Sequence, residues 1–254
     1  LPGVTQDEEI SLTEALVQTI RHFVPGFFSA LVNLPDPRNP KLITYPIEGE
    51  IFVGILAFIL QVGGRRNIKF KLGTPAFIEN LATILRRVFP RSKSLLGWPD
   101  GLLPHGDTVN YLLCKLNWRW LHALRALVIR ALIRSRCLEA FRLYGHYKIA
   151  IDGTGCLVYR DKHCKHCLVK KTSSGTVYYH PVLEAKLVTD NGMALSISTV
   201  FIENEREDVD KQDCELKAFD RLATQLKENF PQLPICVLLD NLFACQRVFK
   251  ICEE

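Results

Sequence analysis

Apolar positions recur with a helical period over much of the first 145 residues. Residues 13–24, 47–61 and 75–88 each place an apolar side chain every three or four positions, which predicts a helix in each segment. The prolines within residues 35–40 exclude a helix there, because proline lacks the amide that the helical ladder needs. The first part of the chain therefore predicts a helical domain.

A longer helix is predicted to follow a cap at Asp107 or Thr108. With 3.6 residues per turn, its apolar face comprises Leu113, Leu116, Trp120, Leu124, Leu127 and Ala131. Its opposite face carries the bases Lys115, Arg119, His122, Arg130 and Arg134. Two interpretations stay open: the solvated face of a core helix, or a face that contacts phosphates because its charges share one sign.

After residue 146 the pattern changes to that of strands. Short apolar runs at residues 147–151, 178–188 and 193–202 predict three strands, the last two joined by a hairpin turn at 190–192. An amphipathic helix is predicted over residues 210–229, and a buried strand over 235–239. This β-β-β-α-β order requires the helix to return the chain to a strand parallel to an earlier one.

The elements together predict an α+β or α/β protein with two domains. Residues 1–145 form the helical domain and residues 146–254 the mixed sheet. At 254 residues and 48% hydrophobic, the chain is long and apolar enough for a substantial core, which excludes disorder. No secretory signal or bilayer-length apolar run occurs, so we expect an intracellular protein without a membrane partner.

The net charge of +5 permits a polyanionic partner without requiring one. Its distribution is more informative, since residues 65–93 contain eight bases against the single acid Glu79. With the basic positions of residues 115–136, this stretch predicts binding of double-stranded DNA that weakens with salt.

Two aspartates, Asp152 and Asp240, each follow a predicted buried strand. A carboxylate at such a position needs compensation, which either a hydrogen-bonded turn or a metal ion can provide. The predicted topology can place the two strands side by side, where neighbouring carboxylates repel each other. Mg²⁺ or Mn²⁺, bound by both aspartates, would relieve that repulsion.

A Cys-x-x-Cys pair, Cys164 and Cys167, lies between the first two predicted strands. It is half of a zinc site, and the remaining ligands would have to come from His163, His166, Cys156 or His180. A plain loop with reduced thiols and a redox role are the alternatives. The surrounding lysines make the same loop a candidate contact for the DNA backbone.

Several segments in order resemble the DDE transposases of bacterial insertion sequences. They are Asp152-Gly153-Thr154, residues 180–202, Glu203-Asn204-Glu205 with residues 211–215, and Leu239-Asp240. The segment Leu34-Pro35-Asp36-Pro37-Arg38, followed by Tyr45-Pro46, is similar to the helical domain that precedes the core in H-repeat-associated members.

The resemblance implies a ribonuclease H-like fold and two-metal phosphoryl transfer at transposon ends and target DNA. It also implies a bacterial cytoplasmic protein that is associated with the nucleoid. Asp152 and Asp240 match the first two catalytic, metal-binding aspartates of that family. Its third ligand is a glutamate well downstream, and Glu253 and Glu254 follow Asp240 too closely for that role. We therefore expect a core that is incomplete at its carboxyl end, with little or no cleavage activity.

Two other functions stay open. The chain is alternatively a non-catalytic DNA-binding protein, either a decayed remnant or a domesticated descendant of a transposase. It is alternatively a module built around a structural metal at Cys164 and Cys167. A homo-oligomer is compatible with each of these interpretations.

Overall fold

The computed structural model describes residues 6–89, 98, 101–173, 175–206, 209 and 211–253. The chain divides into two compact units, Leu1–Ala131 and Leu132–Glu254. This division falls earlier in the chain than the predicted boundary at residue 145. None of the helices in the described ranges is long and apolar enough to cross a bilayer.

The described part of the first unit is helical. Its helices are α1 (Gln6–Phe23), α2 (Phe27–Val32), α3 (Ile47–Ile59), α4 (Asn67–Leu72), α5 (Pro75–Val88), α6 (Gly106–Lys115) and α7 (Trp118–Arg134), the last of which runs into the second unit. The helices predicted over 13–24, 47–61 and 75–88 are confirmed as α1, α3 and α5. A cluster of edge-to-face aromatic rings, Phe28, Phe52 and Phe89, lies in the core.

The prediction of a single long helix after Asp107 is wrong, because two helices, α6 and α7, occupy that stretch. Leu116 is extended, and the Asn117 side chain accepts the Arg119 amide at 3.0 Å, which caps the start of α7. The cap of α6 is His105, whose ring nitrogen accepts the amide of Asp107 at 3.2 Å.

The break also changes which residues face the core. Leu113 and Trp120, assigned to the buried face, are exposed, whereas Leu112 and Ile129 are buried. A helical period carried across residues 116 and 117 fails, because those residues are not helical.

A buried ion-pair network centred on Arg38 holds the proline-rich segment. The Arg38 guanidinium pairs with Asp36 at 2.7 Å and with Glu50 of α3, and it donates to the Tyr45 carbonyl oxygen at 2.8 Å. Glu50 is fully buried, and this burial raises its pKa to about 7 even though the Arg38 charge acts in the opposite direction. The network explains how a glutamate is tolerated inside the helical core.

The described part of the second unit contains a five-stranded mixed sheet. Its strands are β1 (Tyr147–Tyr159), β2 (Leu168–Thr172), β3 (Gly175–Val188), β4 (Ala194–Phe201) and β5 (Ile235–Leu238). The order is β2-β3-β1-β5, with β4 also paired to β3. β5 runs parallel to β1, and the other pairs are antiparallel.

Two helices accompany this sheet, α8 (Glu215–Asn229) and α9 (Gln246–Glu253). Helix α8 packs against β3 and β4 through its buried side chains Ala218, Phe219 and Leu222. It leads to β5, so the predicted return to a strand parallel to the first one is confirmed.

Three features of the second unit differ from the prediction. β1 does not end at Asp152; it continues to Tyr159, with an irregular register between Gly155 and Leu157. β2 was not predicted. Helix α8 begins at Glu215 rather than at residue 210, because Cys214 is extended and residues 211–214 are not helical.

Candidate functional site

Asp152 and Asp240 lie beyond the same end of the parallel ladder that joins β1 and β5. The parallel register of β1 and β5 runs from Tyr147 opposite Ile235 to Ala150 opposite Leu238. Each aspartate is two residues beyond the last pair of this ladder. Asp152, inside the longer strand β1, and Asp240, just after β5, therefore lie beyond the same end of this parallel ladder, at corresponding positions of the two chains.

Both aspartates also have a local structural role. Asp152 accepts the Gly153 amide at 2.8 Å, and Asp240 accepts the Leu242 amide at 2.9 Å and thereby caps a short 3₁₀ turn at residues 241–243. Each bond uses one carboxylate oxygen, Oδ1, and both residues are exposed. The hydrogen-bonded turn that the sequence allowed is therefore present at Asp240, and it is compatible with a metal at the same group.

Glu215, the first residue of α8, brings a third carboxylate to this end of the ladder. A β-carbon added to Gly153 would lie 2.1 Å from its Oε1, so the Glu215 side chain lies directly against β1 beside Asp152. Burial raises the pKa of Glu215, and the negative charges of Asp152 and Asp240 raise it further. The three carboxylates therefore interact through their charges.

The sequence interpretation did not single out Glu215. A helix starting at residue 210 would have placed it inside the second turn rather than at the end of the helix that faces the aspartates. The one sequence feature that could have indicated Glu215 is that it belongs to residues 211–215, a segment that contributes to the family resemblance.

A fourth acid, Glu184, stands opposite Asp152 in the antiparallel ladder of β1 and β3. Its carboxylate is paired with Lys186 at 3.2 Å, so its charge is partly compensated. Like charges across a ladder destabilise it. Carboxylate oxygens of this kind are ligands that suit Mg²⁺ and Mn²⁺.

A second cluster consists of His163, Cys164, Cys167 and His180. One ligand atom of each residue lies within 4.8 Å of every other, so the group could hold a metal ion such as zinc. Cys164 Sγ lies 3.4 Å from Cys167 Sγ and 3.2 Å from His180 Nε2. Cys167 Sγ lies 3.4 Å from both His163 Nδ1 and His180 Nε2.

The two imidazoles are held in place by their surroundings. The Tyr159 ring at the end of β1 packs against His163 with centroids 3.9 Å apart, and His180 is part of β3. Burial lowers the pKa of His180, and the neighbouring His163 lowers it further. Both effects favour the neutral imidazole, which is the form that binds metals.

Of the ligands considered from the sequence, His163 and His180 join the cysteine pair, whereas His166 does not. The His166 ring nitrogen Nδ1 instead contacts the Asn204 carbonyl oxygen at 2.7 Å. The side chain of Cys156 lies outside the described part of the structure.

The predicted basic surfaces are exposed where they are described. Arg66, Lys69 and Lys71 are exposed at α4, as are Lys115 and Arg119 around the start of α7. Arg91 and Lys93 lie outside the described residues. His122 does not fit its assignment to a basic face, because burial lowers its pKa to about 4, Arg125 contributes in the same direction, and the ring is uncharged at neutral pH.

Comparisons with known protein families, with curated proteins and with solved structures give no match.

Proposed function

We propose that the second unit is the catalytic core of a DNA transposase, in which Asp152, Glu215 and Asp240 bind Mg²⁺ or Mn²⁺ for phosphodiester hydrolysis and strand transfer. The observation that supports the proposal is the position of Asp152 and Asp240 beyond the same end of the β1–β5 ladder, with Glu215 close enough for their charges to raise its pKa. The resemblance of the segments that contain these residues to DDE transposases supports the same proposal.

The topology supports the same function. Apart from the additional strand β2, the antiparallel strands β1, β3 and β4, the helix α8 and the strand β5, which returns parallel to β1, agree with the first elements of a ribonuclease H-like core. Parallel strands joined by a helix crossover commonly bind ligands beyond the carboxyl end of the ladder they share, and Asp152 and Asp240 lie beyond that end of the β1–β5 ladder.

The proposed residues have distinct roles. Asp152 and Asp240 would hold a divalent ion, which would supply an acidified water molecule or DNA 3′-hydroxyl as the attacking group. Glu215 adds a third negative ligand on the helix side. A second ion would stabilise the leaving oxygen of an in-line displacement. In the family that the chain resembles, a glutamate well downstream of the second aspartate would be a ligand of that second ion.

The experiment measures Mn²⁺ binding by the chain and its Asp152→Asn, Asp240→Asn and Glu215→Gln variants, with Glu228→Gln on the exposed end of α8 as control. Each site variant should weaken Mn²⁺ binding, because an amide removes the ligand charge with little change of shape, and the control should not. Equal Mn²⁺ affinity in all variants would overturn the carboxylate site.

Cleavage is assayed with DNA that carries the ends of the element, using this chain and any longer product of its gene. We expect metal-dependent cleavage that is strongest in a longer product and is lost in Asp152→Asn and Asp240→Asn, while DNA binding is retained. An Asp152→Asn protein that still cut at the ends would refute the assignment.

A non-catalytic DNA-binding protein is the second candidate. The exposed bases at α4 and at the start of α7 favour it, since they need no metal site to contact phosphates. Salt-sensitive duplex binding without cleavage by any product of the gene, together with no specific Mn²⁺ binding, would favour this candidate over the transposase.

A further inference from the structure

We propose that His163, Cys164, Cys167 and His180 bind one structural Zn²⁺ ion, and that this ion acts through Asn204 to hold the segment that leads to Glu215. The zinc site depends on its own four residues. Only its effect on Glu215 rests on the proposed function.

The spacing of the four ligand atoms fits tetrahedral zinc. Bonds of about 2.3 Å to sulfur and about 2.0 Å to nitrogen separate two sulfurs by about 3.8 Å, and a sulfur from a nitrogen by about 3.5 Å. The corresponding distances here are 3.4 Å between the sulfurs and 3.2 to 3.4 Å between sulfur and nitrogen. A zinc ion would need each atom to move outward by only a few tenths of an ångström.

The donor set selects zinc over the ions suited to the carboxylates. Thiolate and neutral imidazole are ligands for zinc, whereas Mg²⁺ and Mn²⁺ prefer oxygen. Without a metal, the four groups would be linked only by contacts of thiols, which are weak hydrogen-bond donors. A zinc ion replaces these contacts with four coordinate bonds.

Four protein ligands close the coordination sphere, which is typical of a structural site rather than a catalytic one. Three ligands come from the loop between β1 and β2, and the fourth, His180, comes from β3. The ion would therefore fasten this loop to the sheet.

Asn204 connects the loop to the segment before α8. Its backbone amide donates to the His166 carbonyl oxygen and its Nδ2 donates to the Cys167 carbonyl oxygen, both at 3.1 Å. Its Oδ1 accepts the amide of Asp213 at 3.1 Å. Asn204 is itself buried. An ordered loop thus restrains a residue only two positions before Glu215.

A second connection runs beside the first. The Gln212 side chain forms two hydrogen bonds with the Val169 backbone, accepting its amide at 2.6 Å and donating to its carbonyl oxygen at 3.0 Å. Residues 212 and 213 are therefore both tied to the chain that surrounds the Cys-x-x-Cys pair. Loss of zinc should loosen residues 211–215 together with the loop.

Zinc binding is tested by elemental analysis of the purified protein and of Cys164→Ser, Cys167→Ser and His180→Asn, with Cys137→Ser as an exposed-thiol control in the same unit. We expect one zinc per chain in the wild type and the control, and near-background content in the ligand variants. Since these variants can fail to fold, zinc is also replaced by cobalt in the wild type. A tetrahedral cobalt spectrum with thiolate charge transfer supports the site.

A wild-type protein without zinc, and without this spectrum after cobalt addition under reducing conditions, overturns the proposal. A mass two hydrogens lower, with Cys164 linked to Cys167, would assign the pair to redox chemistry instead and also overturns it.

The effect on Glu215 is tested by hydrogen exchange. Zinc removal and Asn204→Ala should each speed amide exchange in residues 211–215, while Asn204→Ala retains its zinc. Unchanged exchange after zinc removal would refute the connection. This result is independent of any cleavage assay, so its failure and that of the transposase proposal are distinguishable.

Discussion

The Glu215 side chain lies so close to Gly153 that a β-carbon at residue 153 would be 2.1 Å from Glu215 Oε1 and 2.6 Å from its Cδ. The atoms in the way form the far end of a flexible side chain, so they can move without disturbing the backbone. Glycine at this position therefore leaves room for the third carboxylate beside Asp152.

Gly153→Ala should displace the Glu215 carboxylate while the fold is retained. We expect Mn²⁺ affinity to fall by about tenfold, as it does when the support of a metal ligand is lost, with little change in the melting temperature. Isothermal titration with Mn²⁺ measures this effect. The matched control is Gly155→Ala, two residues further along β1, where an added β-carbon meets no atom within 4 Å. Equal losses in both variants would contradict the prediction.

DNA binding by the basic surfaces should depend steeply on salt. Each phosphate contact contributes a slope of about −0.9 to log K against log salt. The double variants Lys69→Ala/Lys71→Ala and Lys115→Ala/Arg119→Ala should weaken duplex binding and flatten this slope. Fluorescence anisotropy over a range of salt concentrations measures both quantities, with the exposed Lys41→Ala as control. A slope that none of the variants changes would favour the solvated-helix interpretation.

Arg38→Met should destabilise the helical unit. Arg38 is almost fully buried and pairs with Glu50, so above pH 7, where Glu50 is ionised, its removal leaves a buried carboxylate without its partner. Breaking such a pair costs about 3 to 5 kcal/mol. Chemical denaturation measures the loss, and Arg66→Met, an exposed arginine of the same unit, is the control. The double variant Arg38→Met/Glu50→Leu should recover much of the loss, because it removes both charges.

The stability of the helical unit should decrease as pH rises from about 4.5 to about 7. The pKa of Glu50 in the folded protein is raised to about 7 from 4.5, chiefly by burial, so folding favours the protonated acid. The contribution of Glu50 to the free energy of unfolding is fully present below pH 4.5 and is lost as pH rises through 7. Asp36 affects stability at lower pH. Because its pKa is lowered in the folded protein, its stabilising contribution is lost only when acid protonates it.

The measurement compares thermal unfolding of the wild type and Glu50→Gln across this range. Glu50→Gln should show a weaker decrease with pH, whereas Glu79→Gln, an exposed glutamate of α5, should follow the wild type. Parallel curves for all three proteins would show that Glu50 does not titrate in this window.

Periodicity predicted the elements whose apolar pattern is continuous. Helices α1, α3 and α5 and the hairpin at Gly192 follow directly from local sequence. The break between α6 and α7 was missed because Asn117 interrupts the backbone while the apolar spacing continues across it. Strand β2 was missed because it is stabilised by pairing with β3 rather than by an apolar pattern of its own.

The residues of the candidate sites also differ in how far local sequence predicts where they lie. The neighbouring placement of Asp152 and Asp240 could be predicted, because each follows a buried apolar run and the chain order makes their strands parallel. The position of Glu215 beside Asp152 could not be predicted, since it depends on where α8 begins. Asp213, whose backbone amide is bound by Asn204, lies just before that point. His180 was one of several candidate ligands, and only the register of β3 brings it to Cys164.

The bonds of Asn204 also bear on the order of folding. Its partner Cys167 is 37 residues earlier in the chain, so their hydrogen bond joins segments that are separated in sequence by the three strands β2, β3 and β4. Closing such a loop is entropically unfavourable until β3 and β4 have paired. We expect Asn204 to be bound only after the transition state has been crossed. Substitutions there should then speed unfolding and leave the folding rate almost unchanged.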